Sequence, residues 1–149
     1  MEMELRISRL LLDRIMAEAS GSDVEICGLL VGRGGGIEVA MPCRNIATDP
    51  RRRFEIDPAA LLAAHRNARV NGTQVMGHYH SHPDGLPLPS ACDAAEASAD
   101  GAIWLIFGAD RWRAWRAVAD GAVEGRFDPV SLVVTPPCAG ESAPPEGPR

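Results

Sequence analysis

The chain has 149 residues, 46% of them hydrophobic and 23% charged, with a formal net charge of −5. That composition suits one globular domain able to bury a core, and the negative balance argues against nucleic acid or an anionic membrane as the main partner. All fifteen basic residues are arginine, and the absence of lysine excludes Schiff-base chemistry, a Walker-type phosphate loop, a Ser-Lys dyad and a carbamylated-lysine metal bridge.

In chain order, "MEMELRISRL" carries acids and lacks an apolar core of signal-peptide length. Ser8 to Gly21 reads as an amphipathic helix, with Leu11, Ile15 and Ala19 on one face, Ser8 as cap and Gly21 as stop. "EICGLLVGR" (Glu25 to Arg33) is an apolar run of the kind that forms a strand buried on both faces. The glycine turn Gly32 to Gly36 leads into its hairpin partner "IEVAMPC". "NIATDPRRRFEI" predicts a loop and a short strand. "DPAALLAAHRNARVNG" predicts a second helix, with Asp57 as cap, Pro58 in the first turn and Gly72 near the end. "TQVMGHYH" is a third strand, and "SACDAAEASADG" a short alanine-rich helix.

"AIWLIFGADRWRAWRAV" predicts two strands around a Gly108–Arg111 turn, the second showing Trp112, Ala114 and Arg116 on one face and Arg113, Trp115 and Ala117 on the other. The longest apolar run, Ala102 to Ala109, is too short to span a bilayer. A last strand covers Ser131 to Thr135, and the proline-rich stretch from Pro136 reads as a disordered tail. The expected organisation is one domain over residues 1–135 and a tail over 136–149. Its class is α/β or α+β, a layered mixed β-sheet flanked by helices. Cys27, Cys43, Cys92 and Cys138 form no C-x-x-C pair and read as reduced thiols of a cytoplasmic protein.

The chemistry concentrates in "HYHSHPDGLPLPSACD", His78 to Asp93, where three of the four histidines stand at alternate positions. Side chains two apart on a strand share a face with Cα atoms about 6–7 Å apart, so His78, His80 and His82 would project to one side. Two imidazoles and a carboxylate suit zinc, and three protein ligands plus water make a catalytic site. Asp93 is placed to be the third ligand, because the three prolines of "PDGLPLP" stiffen the path back to the histidine strand. Ser90-x-x-Asp93 equally fits the capping box of a helix start. Spacing leaves both readings open.

The pattern His80-x-His82-x7-Ser90-x2-Asp93, preceded by "GHY" and followed by Pro83, resembles the JAMM motif of MPN-type zinc metallopeptidases, in particular their small free-standing bacterial members. "EICGLLVG", "RRFEIDP" and the tryptophan strands resemble further blocks of that family, over roughly residues 5–135. The resemblance implies an MPN/JAMM fold similar to the cytidine-deaminase-like layered folds. It also implies one zinc per chain on His80, His82 and Asp93, Glu25 as general base and proton shuttle, and Ser90 as oxyanion donor. Nothing in the spacing alone selects Glu25. His78 is outside the motif and either contacts a ligand from behind or packs beside the site. Arg51 to Arg53 could receive an acidic tail or a C-terminal carboxylate, or form a solvated loop.

What the resemblance implies about substrate is a ubiquitin-like or sulfur-carrier protein cut after its C-terminal tail, with release of an amino acid such as cysteine as one version. Two other readings compete. A histidine-triad nucleotide hydrolase satisfies H-x-H-x-H but leaves Ser90, Asp93 and Glu25 unused and has a polar Ser81 as spacer. A non-catalytic MPN scaffold that only binds partners is the other, although such members lose ligands and here the set is complete. The sequence does not fix the oligomeric state.

Overall fold

The computed structural model describes residues 4–83 and 85–136. It opens with a strand the sequence reading did not anticipate, β1 (Glu4–Ser8), whose Leu5 and Ile7 are buried while Glu4 and Arg6 face out. Helix α1 (Arg9–Ser20) follows at once: the Ser8 hydroxyl oxygen accepts the Leu11 N–H at 3.2 Å, and Gly21 closes the helix. Its buried face is Leu12, Ile15 and Ala19, one position off the expected centre, with Leu11 on the flank.

The hairpin β2 (Cys27–Arg33) and β3 (Gly36–Cys43) is antiparallel as expected, and β2 is buried on both faces from Cys27 to Gly32. Residues 44–57 form a loop joined by a single Asn45–Ile56 bridge, where a short strand was expected. Then come α2 (Pro58–Asn71), β4 (Gln74–Ser81), α3 (Ala91–Glu96) and β5 (Ile103–Phe107), and last β6 (Trp112–Gly121) and β7 (Gly125–Thr135). Helix α2 is capped by Asp57 and ended by Gly72 in the left-handed conformation. Strand β7 starts six residues before the expected Ser131, because Phe127 and Val130 are core residues that pair it with β6. The expected tail lies, apart from Pro136, outside the described residues.

The strands form one mixed sheet in the order β1-β3-β2-β4-β5-β6-β7, and the sheet closes on itself. Strand β1 lies parallel to β7 over five residues and touches β3 at Arg6–Gly36. Closure satisfies the ladder groups that an open sheet leaves at its edges. Alternation along the strands divides the interior. Ile103, Leu105 and Phe107 of β5 join Leu12, Ile15, Leu30 and Tyr79 in one cluster. Trp104 and Ile106 join Trp115, Ala117 and Phe127 in the other. Each buried leucine, isoleucine or phenylalanine among them contributes roughly 1.5–3 kcal/mol. Tyr79 belongs to the first cluster, so His78 and His80 beside it in β4 face the second, opposite Trp104 and Ile106 of the parallel neighbour β5. No helix among the described residues is long and apolar enough to cross a membrane.

Candidate metal centre

Three elements meet at the C-terminal end of β4. His80 is the last but one residue of the strand and is fully buried. His82 lies just beyond the strand, yet its N–H still donates to the Phe107 carbonyl at 2.8 Å, which prolongs the ladder and keeps the two imidazoles on one face. The ring centroids of His80 and His82 are 5.0 Å apart. Asp93 arrives from the first turn of α3, buried, with Oδ2 3.3 Å from His80 Nε2 and 3.2 Å from His82 Nε2. Glu25 comes from the segment just before β2, and its carboxylate and the two imidazoles have donor atoms within 4.8 Å of one another.

The loop between His82 and Ser90 is pinned. Its Leu86 carbonyl accepts the His82 Nδ1–H at 2.9 Å, and its Pro87 carbonyl accepts the buried Trp115 indole N–H at 3.0 Å. Gly108 packs so closely that a Cβ there would stand 2.8 Å from the Gly85 oxygen. At α3, the Ser90 hydroxyl accepts the Asp93 N–H at 3.0 Å and the Ser90 N–H donates to Asp93 Oδ2 at 2.9 Å. The capping box and the convergence on the histidines therefore coexist in the same residues.

The electrostatics call for a cation. Because His82 commits its Nδ1 proton to Leu86, the neutral ring turns a bare Nε2 lone pair toward the Asp93 carboxylate, and only a proton or a metal ion between them makes that contact favourable. Separations of 3.2–3.3 Å match the edge of a tetrahedron around an ion with ligand bonds of ~2.0–2.1 Å, about 3.3 Å. His80 and His82 could hold such an ion together with Asp93, and the Glu25 carboxylate lies within reach of the same two imidazoles.

Burial pushes the Asp93 carboxyl up, but its contacts with His80 and His82, in their protonated forms, and the Ser90 N–H outweigh it and hold the group far below the usual carboxylate range. His80 is pushed down, toward the neutral ligand form, by burial. His82 is also disfavoured as a cation by burial, yet its contacts with Asp93 and the Leu86 carbonyl raise it overall. Glu25 is raised to about 7 by burial, with His82 lowering and Asp93 raising it. Only 4% of Glu25 is exposed, and its Oε1 has no hydrogen-bond partner among the described residues.

Glu25 and Ser90 share with His82, Arg51 and Arg52 a cleft of about 510 Å3 open to solvent. Arg53 turns away and donates to Glu96 at 3.0 Å. His78 is on the histidine face but packs its ring 4.4 Å from Trp104 and 5.1 Å from Phe54, and burial pushes it down to about 3. Cys92 is half-buried, and Cys27, Cys43 and Cys92 are free thiols.

Two residues with a place in this site escaped the sequence reading. Phe54 stacks on His80 at 4.3 Å with 20° between the ring planes. Asn45 donates to the Glu25 carbonyl at 2.9 Å and to the Arg53 carbonyl at 3.0 Å, and accepts the N–H groups of Ala47 and Glu55 at 3.0 and 3.1 Å. Phe54 had a signal, as the one aromatic residue of the loop 44–57; Asn45 had none, since the bonds that tie it to Glu25, Arg53 and Glu55 reach 8–20 residues along the chain.

The sequence matches, over residues 8–118, the model of a family described as prokaryotic homologs of the JAB domain. It is 35% identical over 94 residues to the desampylase of Haloferax volcanii, covering 62% of this chain and 68% of that protein. It is 38% identical over 88 residues to a probable TtuB-protein conjugate cleaving protease of Thermus thermophilus, covering 59% of this chain and 58% of that protein. A solution structure of a protein from Desulfitobacterium hafniense superposes with a TM-score of 0.77 at 24% identity, covering 92% of this chain and 97% of that one.

Proposed function

The chain belongs to the family of prokaryotic JAB-domain homologues and is an isopeptidase of the JAMM type, and from that premise we propose that it uses zinc to hydrolyse the amide bond that follows the C-terminal tail of a ubiquitin-like or sulfur-carrier protein. The observation that carries this reading is the position of Asp93 Oδ2, within 3.3 Å of two imidazole nitrogens and near a buried Glu25 whose Oε1 has no hydrogen-bond partner among the described residues. The desampylase and conjugate-protease names of the relatives support the carrier substrate.

His80 Nε2, His82 Nε2 and Asp93 Oδ2 would hold one zinc ion. When bound, zinc lowers the pKa of a coordinated water to about 7 and polarises a carbonyl. The protein's own groups do the rest. Glu25, raised by burial to about 7 and so able to gain and lose a proton near neutrality, accepts the proton of the attacking water and returns it to the departing nitrogen. Ser90 has one lone pair occupied by the Asp93 N–H, which leaves its hydroxyl proton free to donate to the oxyanion. Arg51 and Arg52, on the wall of the same cleft, receive a carboxylate near the scissile bond, as when the group released is a single amino acid.

The cleft is open to solvent, as a protein tail requires. The histidine-triad reading needs a nucleophilic imidazole; His80 and His82 instead face a carboxylate, and His78 is buried against aromatic rings. The test is to load the protein with zinc and incubate it with several carriers bearing a C-terminal adduct. Chelator-sensitive release is expected; no release from any of them sinks the substrate assignment.

A further inference from the structure

The two imidazoles of the site are oriented by different means. His82 is fixed by the hydrogen bond from Nδ1–H to the Leu86 carbonyl, the usual way of aiming a metal-ligating histidine. His80 has no such bond: its Nδ1 is buried and without a partner among the described residues. The ring lies instead between aromatic side chains, with Phe54 stacked face to face at 4.3 Å and Trp104 meeting it edge-on at 5.8 Å and 82°. Phe54 and Trp104 brace one another at 6.2 Å and 79°, and the His78 ring lies 6.0 Å from that of His80.

The torsion that turns an imidazole about its Cβ–Cγ bond has a broad, weakly restrained profile. A ring without a hydrogen bond at Nδ1 therefore needs some other restraint to keep its Nε2 lone pair on target. A parallel aromatic face blocks tilting, and a perpendicular edge blocks sliding.

We infer that Phe54 is the positioning residue for His80, and that Asn45 holds Phe54 in place. The inference rests on the reading of His80 as a metal ligand. Asn45 brackets Phe54 on both sides, since its side-chain amide donates to the carbonyl of residue 53 and accepts the N–H of residue 55. The Ile46 N–H adds a bond to the Glu55 carbonyl at 3.0 Å. The same Asn45 amide reaches the Glu25 carbonyl, and the Glu25 N–H donates to the Pro50 carbonyl at 2.7 Å. One side chain thus ties the segment carrying the buried carboxylate to the loop that clamps the imidazole. Arg51 and Arg52, just ahead of Phe54 in the chain, line the open cleft, so the clamp is built on the same short stretch of chain that faces substrate.

Zinc affinity, measured by competition with a chromophoric chelator, tests the inference without reference to turnover. Phe54→Leu keeps an apolar side chain but no ring face, and is expected to weaken zinc binding by about 10–100-fold, the usual range for residues that orient ligands. Phe54→Tyr and Phe54→Trp, which keep a face, should stay within about threefold of wild type. In the cobalt-substituted protein the visible ligand-field bands should shift in Phe54→Leu and stay in place in Phe54→Tyr, a signature that a general loss of stability does not produce. Asn45→Ala should weaken zinc binding in the same direction, and adding Asn45→Ala to Phe54→Leu should cost little more. Zinc affinity and cobalt spectrum unchanged in Phe54→Leu overturn the clamp. A His80→Ala protein that binds zinc as tightly as wild type overturns instead the reading of His80 as a ligand, and the two failures are told apart by which variant is silent.

Discussion

Ser90 and Asp93 cap one another, and the Asp93 oxygen that accepts the Ser90 N–H at 2.9 Å is the same Oδ2 that faces both imidazoles. A helix start and a candidate ligand set are therefore one piece of geometry. The backbone N–H fixes where the carboxylate points before any ion arrives, and α3, only six residues long, owes its first turn to the same contact.

Asp93→Asn separates the two duties. The side-chain oxygen can still accept the Ser90 N–H, so α3 should persist, but the charge and one oxygen are gone. Zinc content, expected at about one per chain in the wild type, should fall close to zero by elemental analysis, with little change in far-ultraviolet circular dichroism. Full retention of zinc would remove Asp93 from the ligand set.

Ser90→Ala removes the hydroxyl that caps Asp93 and the proton assigned to the oxyanion. Loss of the cap should cost about 1 kcal/mol of stability, read as a lowered Tm. Zinc should remain, and kcat should fall by roughly two to three orders of magnitude. A fall in Tm with kcat intact would leave Ser90 as a cap alone.

Glu25 gives a pH-dependent signature in the chelated protein. Its carboxyl is raised from 4.5 to about 7 by burial, so the folded state holds the proton more tightly than the unfolded chain. Its contribution to stability is then full below about pH 4.5 and is lost as pH rises toward 7. The loss amounts to roughly 3 kcal/mol at most. Glu25→Gln cannot ionise, so the stability difference between the variant and wild type should widen in the variant's favour across that window. Urea titrations from pH 4.5 to 7.5 measure it, and a flat difference contradicts the burial argument. With zinc bound, the same variant should keep its metal and lose turnover.

Arg51 and Arg52 reach the cleft on weak ties, 3.5 Å from Asp23 and 3.8 Å from Asp49 with side chains 71% and 85% exposed. Exposed pairs of this kind contribute little and exchange partners readily. If they receive a carboxylate, a carrier adduct ending in a free α-carboxylate should be cleaved about tenfold faster, in kcat/KM, than its carboxamide. The preference should vanish in an Arg51→Gln/Arg52→Gln double variant and survive in Arg53→Gln. Equal rates for acid and amide in the wild type count against this role.

Much of the fold was legible because its signals are local. Ser8, Asp57, Gly21 and Gly72 cap the helices they were expected to cap, and the apolar run from Cys27 to Gly32 is buried on both faces. Strand β1 was missed because five residues of alternation, "ELRIS", carry little weight until β7 lies beside them. The start of β7 was missed because Asp128 and Pro129 interrupt its apolar pattern, although both positions pair with β6. The histidines and Asp93 were legible as a cluster, since strand period and a proline-stiffened loop are written in sequence. Glu25 was reachable only through family resemblance, because its approach to His82 depends on Ser81 accepting the Ile26 N–H at 2.9 Å across 55 residues.

The parallel seam between β1 and β7 joins the two ends of the described chain, Glu4 beside Ser131 and Ser8 beside Thr135. During synthesis, β1 must wait for β7, made more than a hundred residues later, before it can pair along its length. The intervening sheet meanwhile carries two raw edges, at β3 and β6, that invite other chains. Ring closure also makes the longest loop in the chain the final one to shut, which slows folding relative to a protein with local pairings. The cluster that the histidines face is thus complete only when β7 brings in Phe127 against Trp104.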